Sequence, residues 1–133
     1  MKLYQQLDLL SRKLRQLEQK DDTKELSSAK LTVLQMVKRF NPSTLKDLAK
    51  HQNVALPTMS KIVDELQKRS LIIRAQSKED ARQRWIVPTQ KGIQLLERAE
   101  LENDAYWQQK FSHLTAQQQR QLSESLDTLL QSL

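Results

Sequence analysis

The chain has 133 residues, with 22 Lys and Arg against 16 Asp and Glu, and no cysteine. That length suits one domain with a modest core, and the missing thiols exclude disulfides, thiolate catalysis and cysteine-based redox sensing. A pI near 9.7 suits an anionic partner, with a solvated basic surface as the plain alternative.

Leu3, Leu7, Leu10, Leu14 and Leu17 recur in alternating steps of four and three, with Arg12, Lys13 and Arg15 off that line. This is a heptad seam on a helix over 2–20. So narrow an apolar stripe, in a chain only 38% hydrophobic, is expected to find its cover in a second copy rather than in its own domain. The polar stretch Asp21-Asp22-Thr23-Lys24 is expected to end the helix or form a loop. The N-terminus has no uninterrupted apolar core of a signal peptide, and no stretch approaches the roughly 20 apolar residues of a membrane span. The expectation is a soluble, cytoplasmic protein with no membrane partner.

A second helix starts at Ser27 or Ser28, either of which can cap it. Leu31, Leu34 and Val37 set its buried face, with Met36 and Phe40 added, and Asn41-Pro42 stops it. Thr44 and Asp47 have capping-box spacing ahead of a short helix that buries Leu45, Leu48 and Ala49. After a turn at Asn53-Val54-Ala55, Pro57 suits the first turn of a further helix with Met59, Ile62, Val63 and Leu66 on one face. The opposite face carries Pro57, Ser60, Lys61, Asp64 and Lys68. Leu71-Ile72-Ile73 and Trp85-Ile86-Val87 are β-prone runs flanking a charged hairpin tip. Thr89 is placed to cap a long helix whose first turn holds Gly92, the only glycine, where a close backbone approach is expected. Thr115 and Gln118 repeat the capping-box pattern, and the last helix places leucine at Leu122, Leu126, Leu129 and Leu133 in four-three-four steps.

Two helical patterns, then a hairpin, read as a helix-turn-helix followed by a β-wing. The fold class is mainly α with a small wing, in three parts: an N-terminal dimerisation helix (1–25), a winged lobe (26–92) and C-terminal dimerisation helices (93–133). Between 44 and 92 there are ten basic and five acidic residues, while the rest of the chain is close to neutral. A basic surplus confined to one compact unit is the footprint of a nucleic-acid-binding module.

Sequence-specific binding needs donors and acceptors at base edges and cations along phosphates. Thr58, Ser60 and Lys61 are candidates for the major groove, with Leu56 and Pro57 offering apolar contact to thymine methyls. Asp64 and Glu65, further along the same helix, would repel phosphates, so the first turn and a half should enter the groove. Arg82 and Arg84 are wing candidates, because a planar, weakly hydrated guanidinium suits a narrow A/T-rich minor groove. Asp80, two residues before Arg82, is assigned to orienting that arginine or another wing cation. Lys46, Arg74 and Lys78 are phosphate candidates. Trp85 is expected at the wing base. Tyr4, Tyr106, Trp107 and Phe111 are read as dimer-core aromatics, and His51 and His113 as ordinary histidines. No Ser/His/Asp order, phosphate-cradling glycine loop or metal-ligand spacing is present, so an enzyme, a metal or another cofactor is not expected.

The ordered residues Thr44-Leu45-Lys46-Asp47-Leu48-Ala49, Thr58 to Leu66, Leu71-Ile72 with Arg74, Asp80-Ala81-Arg82 and Thr89-Gln90-Lys91-Gly92 resemble the MarR family of bacterial transcriptional regulators. The likeness covers roughly Leu26 to Leu96. The helix-turn-helix is widely shared; the D-x-R wing followed by T-x-x-G is more specific. The resemblance implies a homodimer with interlocked terminal helices, binding double-stranded DNA, and relatives of this kind take small phenolic ligands in a cleft, which makes a small aromatic effector an expectation. A dimeric repressor on a pseudo-palindromic operator, relieved by such an effector, is the leading reading. A winged-helix protein-interaction module and a nucleoid-type binder are the alternatives. Three residues depart from the family pattern. Ser70 replaces a glycine before the first wing strand, Pro88 replaces a leucine and is expected to shorten or skew the wing. Ala55 stands where an N-capping serine is common, weakening that helix by roughly 1 kcal/mol.

Overall fold

The computed structural model describes residues 1–20 and 25–133, so the expected loop at 21–24 lies outside the described residues. The elements are α1 (Leu3–Lys20), α2 (Ser28–Arg39), α3 (Leu45–Gln52), α4 (Leu56–Lys68), β1 (Ile72–Gln76), β2 (Arg84–Pro88), α5 (Gln90–Lys110), a 3-10 turn at Phe111–His113, and α6 (Ala116–Ser132). This is a winged helix-turn-helix, mainly α with one small sheet. The chain divides into two compact units, Met1–Ile93 and Gln94–Leu133.

Local chemistry accounts for most of the helix ends. Ser27 Oγ accepts the Lys30 N–H and opens α2. Thr44 and Asp47 form a reciprocal capping box: the Asp47 N–H donates to Thr44 Oγ1 at 3.1 Å, and the Thr44 N–H donates to Asp47 at 3.4 Å. Asn53 closes α3 in the left-handed region at φ 53°, which asparagine tolerates better than most residues.

The core of the first unit forms where α2, α3, α4 and the hairpin meet. Val33, Leu34 and Val37 from α2, Leu48 and Ala49 from α3, and Met59, Val63 and Leu66 from α4 close over Leu71, Ile72 and Ile86. Phe40, expected on the buried face of α2, is instead 40% exposed. It is the C-cap residue, where the backbone has left helical geometry, so its ring no longer follows the helix face. It stacks on His51 with centroids 4.6 Å apart, and the Arg39 guanidinium lies 5.4 Å from its centroid.

The wing is an antiparallel ladder of five pairs from Ile72↔Pro88 to Gln76↔Arg84, with constant register. Pro88 therefore neither shortens nor skews it. Proline occupies the terminal pair, and the next ladder donor is the Thr89 N–H, which reaches the Leu71 carbonyl at 3.1 Å. Ser43 extends the sheet by one bridge to Ile86. Ser70 makes the turn into β1 with φ 61°, a left-handed conformation that costs a serine what glycine would not have lost. Gly92 meets the Leu71 backbone so closely that a Cβ there would sit 2.2 Å from the Leu71 oxygen, as the close approach expected from sequence requires.

In the second unit, Thr115 and Gln118 form a capping box at the start of α6. Trp107 stands edge-on to Tyr106 at 5.3 Å and stacks with Phe111 at 5.7 Å. No α6 residue is buried: Leu122, Leu126 and Leu133 are exposed and Leu129 is half-buried. On α1, Leu3 and Leu10 are exposed while Leu7 and Leu14 are half-buried. Among the described residues no helix is long and apolar enough to cross a membrane.

Candidate nucleic-acid interface

The N-terminus of α4 is chemically open. Its N-cap is Ala55, whose side chain makes no capping bond, and proline occupies the first turn. The leading N–H groups of α4 are thus left to outside acceptors at the positive end of the helix dipole. Leu56, Pro57, Thr58 and Lys61 are exposed there and Ser60 is half-buried, while Met59, Val63 and Leu66 anchor the other face. The face assigned from sequence to base reading is the exposed one.

The wing tip is ordered by its own hydrogen bonds. Ser77, almost fully buried, accepts the Glu79 and Asp80 N–H groups at 3.2 and 3.3 Å, and its own N–H donates to the Gln83 carbonyl at 2.9 Å. Gln76 Nε2 donates to the Ala81 carbonyl. Asp80 accepts the backbone N–H of Arg82 at 3.0 Å, so it orients the arginine through the main chain and leaves the guanidinium free. Trp85, half-buried, pairs across the ladder with Ala75.

The cations sort into two classes. Lys46, Lys61, Lys78, Arg82 and Arg84 are exposed and make no ion pair among the described residues. Arg74, a phosphate candidate from the sequence, is held within the lobe. Its Nη2 donates to Asp64 Oδ1 at 2.7 Å and its Nη1 to the side-chain Oε1 of Gln67, so both arms of the fork are engaged inside the lobe. Lys30 from α2 likewise pairs with Glu65. That ammonium hydrogen bond, followed by the charge of Lys30, holds the Glu65 carboxyl below its ordinary value of 4.5. The two carboxylates on α4 that would oppose a polyanion are each matched by a cation from another element. These pairings join residues distant in sequence, and no spacing rule announces them; Ser77 was foreseeable from the S-x-x-D pattern it makes with Asp80.

A family model described as the MarR family matches residues 26–83, spanning α2 through the wing tip. The HTH-type transcriptional repressor IacR of Pseudomonas putida is 27% identical over 109 residues, covering 82% of this chain. The chain spans 65% of the length of that curated relative. A mutant of MarR from E. coli has a TM-score of 0.84 at 21% identity, over 98% of this chain and 97% of that one. The S. aureus MepR–DNA complex has a TM-score of 0.72 at 24% identity, over 100% of this chain and 99% of that one. At such identities the structural likeness carries the fold, and the family match agrees with it where the lobe is densest in recognisable residues. Residues 26–83 are thus similar in sequence to the MarR family, and the chain as a whole shares the fold of solved MarR and MepR structures.

Proposed function

We propose that this protein is a transcriptional regulator that binds double-stranded DNA, with the first turns of α4 in the major groove and the wing arginines in the flanking minor groove. The observation that carries this reading is the charge sorting on the lobe. Five cations at the helix and wing positions are left unpaired, while the carboxylates of α4 are neutralised from within. With both α4 carboxylates paired, these five exposed cations of α3, α4 and the wing stay outside the ion pairs of the described residues and are available to a phosphate backbone. The likeness to a DNA-bound MepR supports the docking mode.

The reading extends to a homodimer that acts as a repressor. Its support is the leucine row of α6, where Leu122, Leu126 and Leu133 are exposed among the described residues, and the repressor role of IacR. Two copies would set their recognition helices one DNA turn apart, roughly 34 Å. A small aromatic effector that favours a different spacing would relieve repression, and Trp107, against Tyr106 and Phe111, is the fluorophore that would report it.

Selection of bound fragments from the source genome, followed by titration against palindromic and random duplexes, tests this directly. Regulation by sequence predicts a tight site above a weak background. Equal affinity for all duplexes would point to a nucleoid-type binder, and no affinity for any would leave the winged lobe as a protein-interaction module.

A further inference from the structure

Beyond β1 the wing has no hydrogen bond or ion pair to a helix: among the described residues every such contact from 75 to 85 is internal to the hairpin. Arg74 is therefore the outermost tether between hairpin and helices. Its side chain lies on the same face of the ladder as Ile72 and Ile86, which are buried against the lobe, and it is itself only 22% exposed. Asp64 and Gln67 are three residues apart on α4, so one guanidinium grips two successive positions on one edge of the helix. A planar fork can do this and a lysine ammonium cannot hold both acceptors in one plane. The far acceptor, Asp64, shares its helix face with Pro57, Ser60 and Lys61.

We propose that Arg74 is a positioning residue for DNA recognition: by clamping Asp64 and Gln67 it sets the angle of the wing to the recognition helix, and so decides whether Arg82 reaches the minor groove while Lys61 is in the major groove. The inference rests on the DNA-binding reading above. Its lever is geometric. The strand continues about two residues past Arg74, roughly 7 Å at the usual rise, before the hairpin tip, so a small rotation at the clamp is magnified where the arginines read.

The role makes a prediction that charge alone contradicts. Asp64→Ala removes a negative charge from a DNA-facing helix and adds a better helix former, which on electrostatics and propensity should tighten binding. A lost clamp should weaken it instead. We expect Asp64→Ala and Arg74→Lys each to lose about tenfold in affinity for the selected site, and the pair together to lose no more than either alone. The preference for A/T-rich flanks should fall in both, with the dependence of affinity on salt unchanged. Binding that tightens or stays the same in Asp64→Ala would overturn the proposal, as would losses that add. So would a salt slope that falls by about one for Arg74→Gln, which would make Arg74 a phosphate contact. Asp64→Ala lies at an exposed helix position and keeps the test decisive even where a change at Arg74 disturbs folding. Failure of the unaltered protein to bind any genomic fragment would overturn the DNA-binding reading and the positioning role with it, an outcome distinct from a variant series that binds without the expected pattern.

Discussion

The Thr89 hydroxyl donates its hydrogen to the Ser70 carbonyl at 2.6 Å while accepting the Gly92 N–H at 3.0 Å. One side chain thereby joins the turn before the wing to the start of the helix after it. Lys91 adds a bond from its ammonium to the Arg69 carbonyl at 3.1 Å, and Arg69 reaches back to the Glu25 carbonyl at 2.8 Å. The junction explains why a serine is tolerated at a left-handed position: the surrounding bonds over-determine the backbone there.

Two substitutions at this junction should have opposite signs. Ser70→Gly should raise stability by about 1 kcal/mol, because the left-handed conformation no longer carries a Cβ penalty. Gly92→Ala should lower it by about 1–3 kcal/mol despite the better helix propensity of alanine, since the added methyl meets the Leu71 carbonyl and backbone cannot give way cheaply. Urea melts with unchanged slope would measure both.

Acid should act through Glu65. Its carboxyl is held low by the Lys30 hydrogen bond and charge, with Lys61 and Lys68 adding to the effect and burial opposing it. A depressed carboxyl contributes stability that is fully present above the unfolded value and is lost as pH falls through the folded one. Stability should therefore decline below the ordinary glutamate range, and Lys30→Gln should flatten that part of the profile. Thermal midpoints from pH 7 to pH 3 for both proteins check it; identical profiles would remove Glu65 from the account.

For recognition, Arg82→Ala should weaken binding most at sites with A/T-rich flanks, where the narrow groove concentrates negative potential. Lys61→Ala should cost about 1–3 kcal/mol at the preferred site and relax its sequence preference, as expected for a contact to a guanine edge. A uniform loss with a shallower salt dependence would assign Lys61 to a phosphate instead. Competition titrations against matched and mismatched duplexes at two salt concentrations separate these.

Assembly should depend on the α6 leucine row. Leu126→Glu places a charge in that row, and light scattering should show the particle change from twice the 15.6 kDa chain mass to once that mass. An unaltered protein already at the single-chain mass would refute the dimer.

Much of the winged lobe was legible because its signals are local. The Thr44–Asp47 box, the proline in the first turn of α4, the β-branched strands and the T-x-x-G step each act over a few residues, where side-chain chemistry meets its own backbone. The exposed face of α4 was legible for the same reason, since the helix period alone separates Lys61 from Met59. The fate of Phe40 was not, because a single residue's departure from helical geometry turned a core position into a surface stack.

The sequence by itself determined the elements, the basic middle and which side chains are candidates to meet DNA. Only the tertiary structure decided which of those cations are free to do so. Arg74 and Lys78 look alike in the chain, yet one is clamped to α4 and the other makes no ion pair among the described residues. The physical reason is that an ion pair across elements depends on distance in space, and 10 residues of separation between Asp64 and Arg74 become 2.7 Å only when strand packs on helix.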